Sequence, residues 1–279
     1  MGNVNEDVVL VTGASSGIGK AIAERLARLG YRVYGTSRKQ KPLDDKSLEK
    51  QYGPGFFKLI QLDVCNEESV KNAVEYVLEK EGTIDVLVNN AGFGIAGSVE
   101  DTSTEEAQKQ FDTNFFGVHR MLRHVLPVMR KNRKGTIINI SSVAGIFSIP
   151  FQSVYSASKY ALEALSEALR VEVKPFGIKV VLVEPGDTRT EFTSRRQIVT
   201  AAGENSVYKE SFERSLNTMV RDEINGPEPD VVAKVVIKIL RRKNPPVRVV
   251  VGASYKAMVI LKRFIPARFV EYIIGKLYS

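Results

Sequence analysis

Apolar positions along the chain follow two alternating patterns. Short runs without a polar position, such as Val8 to Val11, are typical of strands buried on both faces. Longer stretches repeat apolar residues at helical spacing, with charged residues between them. The first helical stretch ends near Gly30. Its apolar face is predicted to point inward and consists of Ile18, Ala21, Ile22, Leu26 and Leu29.

The two patterns alternate through most of the chain. Strand-like runs cover residues 8–11, 32–36, 58–62, 86–88, 136–140, 179–183 and 247–251. Helical patterns lie at residues 67–80, 104–131, 153–174 and 230–241. The alternation predicts an α/β fold, a single domain with a Rossmann-type doubly wound parallel sheet of about seven strands and helices on both faces.

Two segments depart from this alternation. Residues 187–229 are polar and lack a strand pattern, which predicts a helical insertion or a mobile substrate loop. Residues 254–279 form a basic amphipathic extension. This extension is consistent with lining a pocket, contacting a membrane surface or capping the domain, and capping is the favoured interpretation.

Composition excludes several classes of protein. The single cysteine, Cys65, rules out a disulfide framework, and with only His119 and His124 beside it no metal site is predicted. The net charge is +8, but the basic residues are spread along the chain, so no nucleic-acid partner is expected. Because no targeting segment is recognised and no apolar run approaches the ~20 residues of a membrane span, a cytoplasmic protein is expected.

A glycine-rich turn, TGASSGIG at residues 12–19, joins the first predicted strand to the first predicted helix. Glycines at such a turn allow the backbone to approach a pyrophosphate, which then rests on the N–H groups of the helix N-terminus. An ordinary tight turn is the alternative. The spacing is GxxxGxG rather than GxGxxG.

Further motifs follow in order along the chain. They are Asp63-Val64, Asn89-Asn90-Ala91-Gly92, Asn114, Ile140-Ser141-Ser142, YSASK from Tyr155 to Lys159, and Pro185-Gly186. With the glycine-rich turn, they make residues 8–190 resemble the short-chain dehydrogenase/reductase family, and the chain is similar to its 17β-hydroxysteroid dehydrogenase-like members. The resemblance implies hydride transfer between a nicotinamide dinucleotide and a hydroxyl or carbonyl carbon, in a homo-oligomer (dimer or tetramer).

Four residues are the catalytic candidates. Tyr155 and Lys159 are one helical turn apart, so the ammonium group is expected to lower the phenol pKa from about 10 and suit Tyr155 for acid/base work. Ser142 follows a buried strand, where its hydroxyl can bind the substrate oxygen. Asn114 interrupts an apolar stretch, which indicates a structural hydrogen bond, and the resemblance adds a proton relay. A Ser-His-Asp hydrolase is disfavoured, because both histidines share one helix.

The end of the second strand bears on the choice of cofactor. Ser37, Arg38 and Lys39 stand there, and no acid occurs before Asp44. Because a 2′-phosphate pairs with cations whereas a free ribose hydroxyl prefers a carboxylate, NADP(H) is predicted over NAD(H). The full set of predicted cofactor contacts is Gly13, Ser15, Ser16, Gly17, Ile18, Gly19, Ser37, Arg38, Asp63, Val64, Asn90, Ala91, Gly92, Tyr155, Lys159, Pro185, Gly186, Thr188 and Thr190.

The predicted substrate pocket is apolar and partly aromatic. Its members, besides Ser142 and Tyr155, are Phe93, Phe147, Ile149, Phe192 and Ile198. They predict a small hydrophobic carbonyl or alcohol substrate: a steroid, a retinoid or a lipid-like ketone. The alternatives are a 3-oxoacyl-thioester reductase, a non-catalytic NADP(H)-sensing protein and a lipid- or membrane-binding module.

Small residues recur on the helix that carries Tyr155. Ala157, Ala161, Ala164 and Ala168 form a stripe at helical spacing. The stripe is equally consistent with packing on the protein's own sheet and with close contact between two subunits.

Overall fold

A mostly parallel sheet of eight strands forms the centre of the computed structural model, which describes residues 6–39 and 49–278. The strands are β1 (Val8–Val11), β2 (Arg32–Ser37), β3 (Glu49–Tyr52), β4 (Gly55–Gln61), β5 (Val86–Asn89), β7 (Gly135–Ile140), β8 (Ile178–Pro185) and β10 (Arg248–Val251). Their spatial order is β10-β8-β7-β5-β1-β2-β4-β3. Two short strands, β6 (Ile95–Ala96) and β9 (Gln197–Ile198), pair with each other in a separate small sheet.

The helices cover both faces of the sheet and extend beyond its carboxyl edge. They are α1 (Gly17–Ala27), α2 (Glu67–Glu81), α3 (Thr104–Phe111), α4 (Gly117–Asn132), α5 (Ser153–Val173), α6 (Phe192–Arg195), α7 (Lys209–Ile224), α8 (Asp230–Leu240), α9 (Ala253–Lys262) and α10 (Ala267–Tyr278). One apolar core lies between the sheet and α2, α4 and α5, and a second lies between the sheet and α1 and α8. The predicted doubly wound Rossmann-type fold is thereby confirmed.

Local sequence signals account for the boundaries of several elements. The side chain of Asn66 accepts a hydrogen bond from the Ser69 N–H at the start of α2, and Gly82 ends that helix with a φ of 72°. Ser103 and Glu106 form a reciprocal capping box at the start of α3. All four residues of β1 are buried, which explains why that strand is a continuous apolar run.

The structure corrects three details of the predicted fold and decides a fourth, the packing of the alanine stripe, that the sequence left open. The sheet has eight strands rather than about seven, because the polar strand β3 turns back on β4 as an antiparallel edge. The helix predicted at 104–131 is interrupted by a π-helical turn, Asp112–Phe116. Leu29 is 36% exposed instead of inward, since α1 ends before it. The alanine stripe does not pack on the sheet: Ala157, Ala164 and Ala168 are exposed.

Both segments that depart from the alternation contain helices. The interval 187–229 contains α6 and α7, so it is a helical insertion that lies next to β6 through the pairing of β9. The C-terminal extension forms α9 and α10.

The connections of the sheet reverse direction beside β1. The chain runs outward from β1 through β2 and β4, and then from β5 through β7, β8 and β10 on the other side. In such sheets a crevice opens at the carboxyl ends of the strands where the order reverses, and ligands bind there. The motifs that follow β1, β5, β7 and β8 therefore converge at one edge.

Candidate active site

The glycine-rich turn after β1 is packed too closely for side chains. Gly13 and Gly17 have φ values of 65° and 54°, in the left-handed region. A Cβ on Gly19 would lie 2.4 Å from Asn90 Nδ2 and 2.4 Å from the Gly13 carbonyl oxygen. That Asn90 amide donates hydrogen bonds to the carbonyls of Thr12 (3.0 Å) and Gly13 (3.1 Å). The turn is therefore held by the motif that follows β5.

The N-terminus of α1 is open to an anionic ligand. Ser16 stands at the N-cap with extended backbone and makes no side-chain cap, and the first turn carries no acid. The free N–H groups and the helix dipole there favour a negative charge. With glycines beside it, this cradle fits the pyrophosphate of a dinucleotide. From α6, Arg195 donates a hydrogen bond to Ser16 Oγ (3.0 Å), which adds a cation that the sequence did not indicate.

The other predicted cofactor residues line the same edge of the sheet. Ser37 ends β2 and is buried, while Arg38 directly after it is exposed. Asp63 follows β4, where its Oδ1 accepts a hydrogen bond from the Cys65 N–H. An open cleft of about 700 Å³ lies between α1 and residues 189–194 and 228–230, and Gly17 and Thr190 are part of its lining.

The segment after β8 is shaped by local hydrogen bonds. Thr188 Oγ1 donates to the Gly186 carbonyl (3.0 Å), and Thr190 Oγ1 accepts from the Phe192 N–H (3.1 Å). This segment lies across the cleft from the glycine-rich turn. Thr190 would contact a Cβ built on Gly17 at 3.5 Å.

Tyr155, Lys159 and Ser142 lie together at the carboxyl edge. Tyr155 and Lys159 are both buried in the first turns of α5, and Lys159 Nζ lies 5.8 Å from the centre of the Tyr155 ring. Lys159 Nζ donates a hydrogen bond to the Ile140 carbonyl at the end of β7 (3.0 Å). The Ser142 hydroxyl donates a hydrogen bond to the Pro185 carbonyl (3.5 Å) and accepts one from the Ala144 N–H (3.1 Å), and it is also a hydrogen-bond partner of the Tyr155 phenol. The predicted cluster is thus formed by one helix and the end of one strand.

Burial dominates the acid/base properties of this cluster. Desolvation raises the pKa of Tyr155 to about 12, although the hydrogen bond from Ser142 opposes the shift. The expectation that Lys159 lowers the phenol pKa below its ordinary value is not met, because burial raises the phenol pKa instead. Desolvation also lowers the pKa of Lys159 to about 8, partly offset by the carboxylate of Glu163. Tyr155 is therefore a proton donor at neutral pH in this state of the protein.

Asn114 has a structural role. It is buried in the π-helical turn between α3 and α4. Its side chain accepts from the Phe93 N–H (3.2 Å) and donates to the Phe93 carbonyl (3.1 Å) and to Ser158 Oγ (3.2 Å). The amide thereby connects the segment after β5 to α5, as the structural interpretation predicts, and the π turn marks a place where backbone bonding departs from the α pattern. The proton relay stays a prediction.

A buried carboxyl pair lies behind the cluster. Glu163 is one helical turn after Lys159, and Glu184 stands in β8 directly before Pro185. Both are paired with Arg248 Nη1 of β10, at 2.9 Å and 3.0 Å. Desolvation and the neighbouring Glu163 raise the pKa of Glu184 to about 7. Residues on three elements create this pair, and no sequence signal indicated it.

The predicted apolar substrate residues are only partly assembled. The Phe192 ring packs 5.6 Å from the Tyr155 ring, and Phe93 and Ile149 are half-buried. The centre of the Phe147 ring lies 5.0 Å from Lys262 Nζ, and Lys262 belongs to the C-terminal extension. Ile198, in contrast, is exposed in β9.

A buried ion pair beside Phe192 was not predicted. Arg196 pairs with Glu223 of α7, and its guanidinium lies 5.8 Å from the Phe192 ring. Because the same Phe192 ring packs against the Tyr155 ring, the ion pair is separated from the phenol by one aromatic side chain. Because Arg196 lies in a polar interval without periodicity, only the folded chain reveals that it is buried.

The chain is similar to known oxidoreductases along nearly its whole length. It is 45% identical over 273 residues to the 3-ketodihydrosphingosine reductase of Bacteroides thetaiotaomicron, covering 98% of both chains. It is 38% identical over 272 residues to retinol dehydrogenase 8 of Bos taurus, covering 93% of this chain and 86% of that protein. A solved short-chain dehydrogenase from Streptomyces avermitilis superposes with a TM-score of 0.79 at 38% identity, covering 93% of each chain.

The family itself follows from these comparisons and from the site. Solved structures that are 26%, 28% and 27% identical to this chain carry NADP or a derivative of it, and the cradle at α1 fits a nicotinamide cofactor. The family model described as "short chain dehydrogenase" matches residues 7–198. The chain is therefore a member of the short-chain dehydrogenase/reductase family, an oxidoreductase that acts on CH–OH and C=O groups.

Proposed function

We propose that the protein reduces the carbonyl group of a lipid-like ketone with NADPH, and that Tyr155 is the acid/base. The observation that carries this proposal is the cluster of the buried Tyr155 and Lys159 with the half-buried Ser142, at the same edge of the sheet as the glycine-rich cradle. Similarity to a 3-ketodihydrosphingosine reductase and to a retinol dehydrogenase supports a hydrophobic substrate. The aromatic ring of Phe192 against Tyr155 supports it as well.

Each residue has a distinct task in the proposed reaction. A bound nicotinamide supplies the hydride to the carbonyl carbon. The Tyr155 hydroxyl gives its proton to the carbonyl oxygen, so the product is a neutral alcohol. Ser142 donates a hydrogen bond to the same oxygen and stabilises the charge that develops on it. Lys159 holds a positive charge next to the phenol and so stabilises the tyrosinate that remains.

The preference for NADPH rests on the end of β2. Arg38 is exposed directly after this strand, where its guanidinium is free to pair with a 2′-phosphate. The substitution Arg38→Asp is expected to raise the KM for NADPH at least tenfold, because a carboxylate repels the 2′-phosphate. It should lower the KM for NADH, because a carboxylate accepts a hydrogen bond from the free ribose hydroxyl. Arg130→Asp, an exposed arginine on α4, is the matched control. Equal KM values for NADPH in Arg38→Asp and in the unaltered protein would exclude this role for Arg38.

Steady-state oxidation of NADPH tests the proposed activity. The carbonyl panel contains 3-ketodihydrosphingosine, retinal, ketosteroids and an acyl-thioester. We expect turnover of a lipid-like ketone that falls by at least a thousandfold in Tyr155→Phe, since proton transfer and orientation are both lost. Tyr52→Phe, on the edge strand β3, removes a hydroxyl far from the site and is the control. If only the acyl-thioester is turned over, the substrate is a 3-oxoacyl-thioester and not a lipid-like ketone. If NADPH binds but no carbonyl compound is reduced, the protein is a non-catalytic NADP(H) sensor.

A further inference from the structure

The outward faces of the last two helices are strongly apolar. Neither α9 nor α10 contains a buried residue. Eight large apolar side chains are exposed on them and on the turn between them: Met258, Ile260, Leu261, Phe264, Phe269, Tyr272, Ile273 and Leu277. We call these eight residues the C-terminal apolar face. An exposed apolar cluster of this size marks an interaction surface.

Packing of the helices on the domain is carried by a different set of residues. On α10 these are Val270, Ile274 and Tyr278, which recur at helical spacing, are half-buried and lie on the side opposite Phe269 and Tyr272. The helix α10 packs on α7. Capping of the domain therefore leaves the C-terminal apolar face uncovered.

The positive charge around the C-terminal apolar face indicates which kind of surface it binds. Residues 253–279 contain five lysines and arginines but one acid, Glu271. Four of the cations, Lys256, Arg263, Arg268 and Lys276, are exposed. A second copy of this face would bring like charges together. An anionic lipid surface instead pairs with the cations and accepts the aromatic and aliphatic side chains at the boundary of headgroups and acyl chains.

The same helices border the candidate active site. Tyr255 of α9 donates a hydrogen bond to Asp187, two residues after Pro185. Lys262 donates to the Ile146 carbonyl and lies over the Phe147 ring. At the end of α10, burial raises the pKa of Tyr278 to about 12, and the charges of Asp187 and Glu223 add to this shift. A surface on which the apolar face rests would therefore lie close to the carboxyl edge of the sheet.

We propose that the C-terminal apolar face docks the protein onto an anionic membrane surface. The eight apolar side chains enter the interfacial layer, and the four exposed cations contact lipid phosphates. No helix within residues 6–39 and 49–278 is long and apolar enough to cross a membrane, so the contact is with one surface. The inference is independent of catalysis, because it concerns binding of the whole chain to lipid.

Co-sedimentation with vesicles tests the electrostatic and apolar parts separately. The full-length protein is mixed with phosphatidylcholine vesicles or with vesicles that also contain phosphatidylglycerol. We expect binding to the anionic vesicles, weakened about thirtyfold by Arg263→Gln with Arg268→Gln and at least tenfold by Phe264→Ser with Phe269→Ser. Phe264 and Phe269 are 79% and 64% exposed, so these changes should leave the melting temperature unaltered. The control is Val171→Ser, 73% exposed near the far end of α5.

An introduced tryptophan reports the depth of contact. The chain has no tryptophan, so Phe269→Trp provides a single fluorophore on the apolar face and Val171→Trp provides one on the opposite edge. Brominated lipids should quench the first and leave the second unchanged. Failure of the unaltered protein to sediment with anionic vesicles would overturn the proposal. Concentration-dependent dimerisation, seen by light scattering and abolished by Phe264→Ser with Phe269→Ser, would also overturn it. In that case a second copy of the chain would cover the C-terminal apolar face.

Discussion

Removal of the buried carboxyl at position 184 should alter how stability depends on pH. Glu184 is 1% exposed and shares Arg248 with Glu163. Burial and the second carboxylate raise its pKa from 4.5 to about 7. Between pH 4.5 and about pH 7, the folded protein retains a proton on Glu184 that the unfolded chain has released, so folding is coupled to proton uptake. The resulting stabilisation is fully present below about pH 4.5 and is lost as pH rises through about 7.

The size of this effect follows from the two pKa values. Each pH unit between them corresponds to about 1.4 kcal/mol, so the interval from 4.5 to about 7 amounts to about 3 kcal/mol of unfolding free energy. Glu184→Gln keeps the shape of the side chain but removes the titrating group. When the pH rises from about 4.5 to about 7, the free energy of unfolding should therefore fall by about 3 kcal/mol less in the variant than in the unaltered protein.

Urea unfolding followed by circular dichroism at a series of pH values measures this difference. Glu167→Gln is the matched control, because Glu167 also pairs with Arg248 (2.5 Å) but is 56% exposed in its side chain. It should show the same pH dependence as the unaltered protein. If Glu184→Gln and the unaltered protein lose equal stability across the interval, Glu184 does not hold a proton in the folded state and the reasoning is refuted.

Three further perturbations test the site itself. Gly19→Ala should lower NADPH affinity and reduce the free energy of unfolding by about 2 kcal/mol, because the added Cβ would overlap the Asn90 amide. In the control Gly203→Ala the added Cβ meets open space, so affinity and stability should stay unchanged. Ketone reduction should show a constant kcat/KM below about pH 8 and decline above it as Lys159 loses its charge, an inflection that Lys159→Met should abolish. Phe192→Ala should raise the KM for lipid-like ketones about tenfold and leave NADPH affinity unchanged, as measured by fluorescence titration.

Much of the architecture could be predicted because its signals are local. A strand buried on both faces must be a continuous apolar run, as in β1, and glycine is needed wherever the backbone adopts a left-handed conformation, as at Gly13 and Gly17. The resemblance carried by the motifs around Ser142, Tyr155 and Lys159 predicted a site, and these three residues lie close together in the structure. Parallel strands bring their carboxyl ends to one edge, so residues distant in sequence converge there.

Other features depend on contacts between distant segments. The π turn that holds Asn114, the burial of Arg196 against Glu223 and the pairing of Glu163 with Glu184 leave no periodic signal, because each is created by side chains from separate elements. The raised pKa of Tyr155 belongs to the same group, since desolvation is a property of the whole packed site rather than of the nearest charge.

The sequence by itself determined the alternation of strands and helices, because hydrophobic periodicity and backbone sterics act within a few residues. The candidate catalytic residues were predicted from the ordered motifs that resemble those of the family. Only the tertiary structure decided which faces are covered. The alanine stripe of α5 faces outward, and Phe264, Phe269 and Tyr272 stay exposed although the same helices pack on the domain. Burial depends on what the rest of the chain brings against a side chain, and that is set by the whole fold.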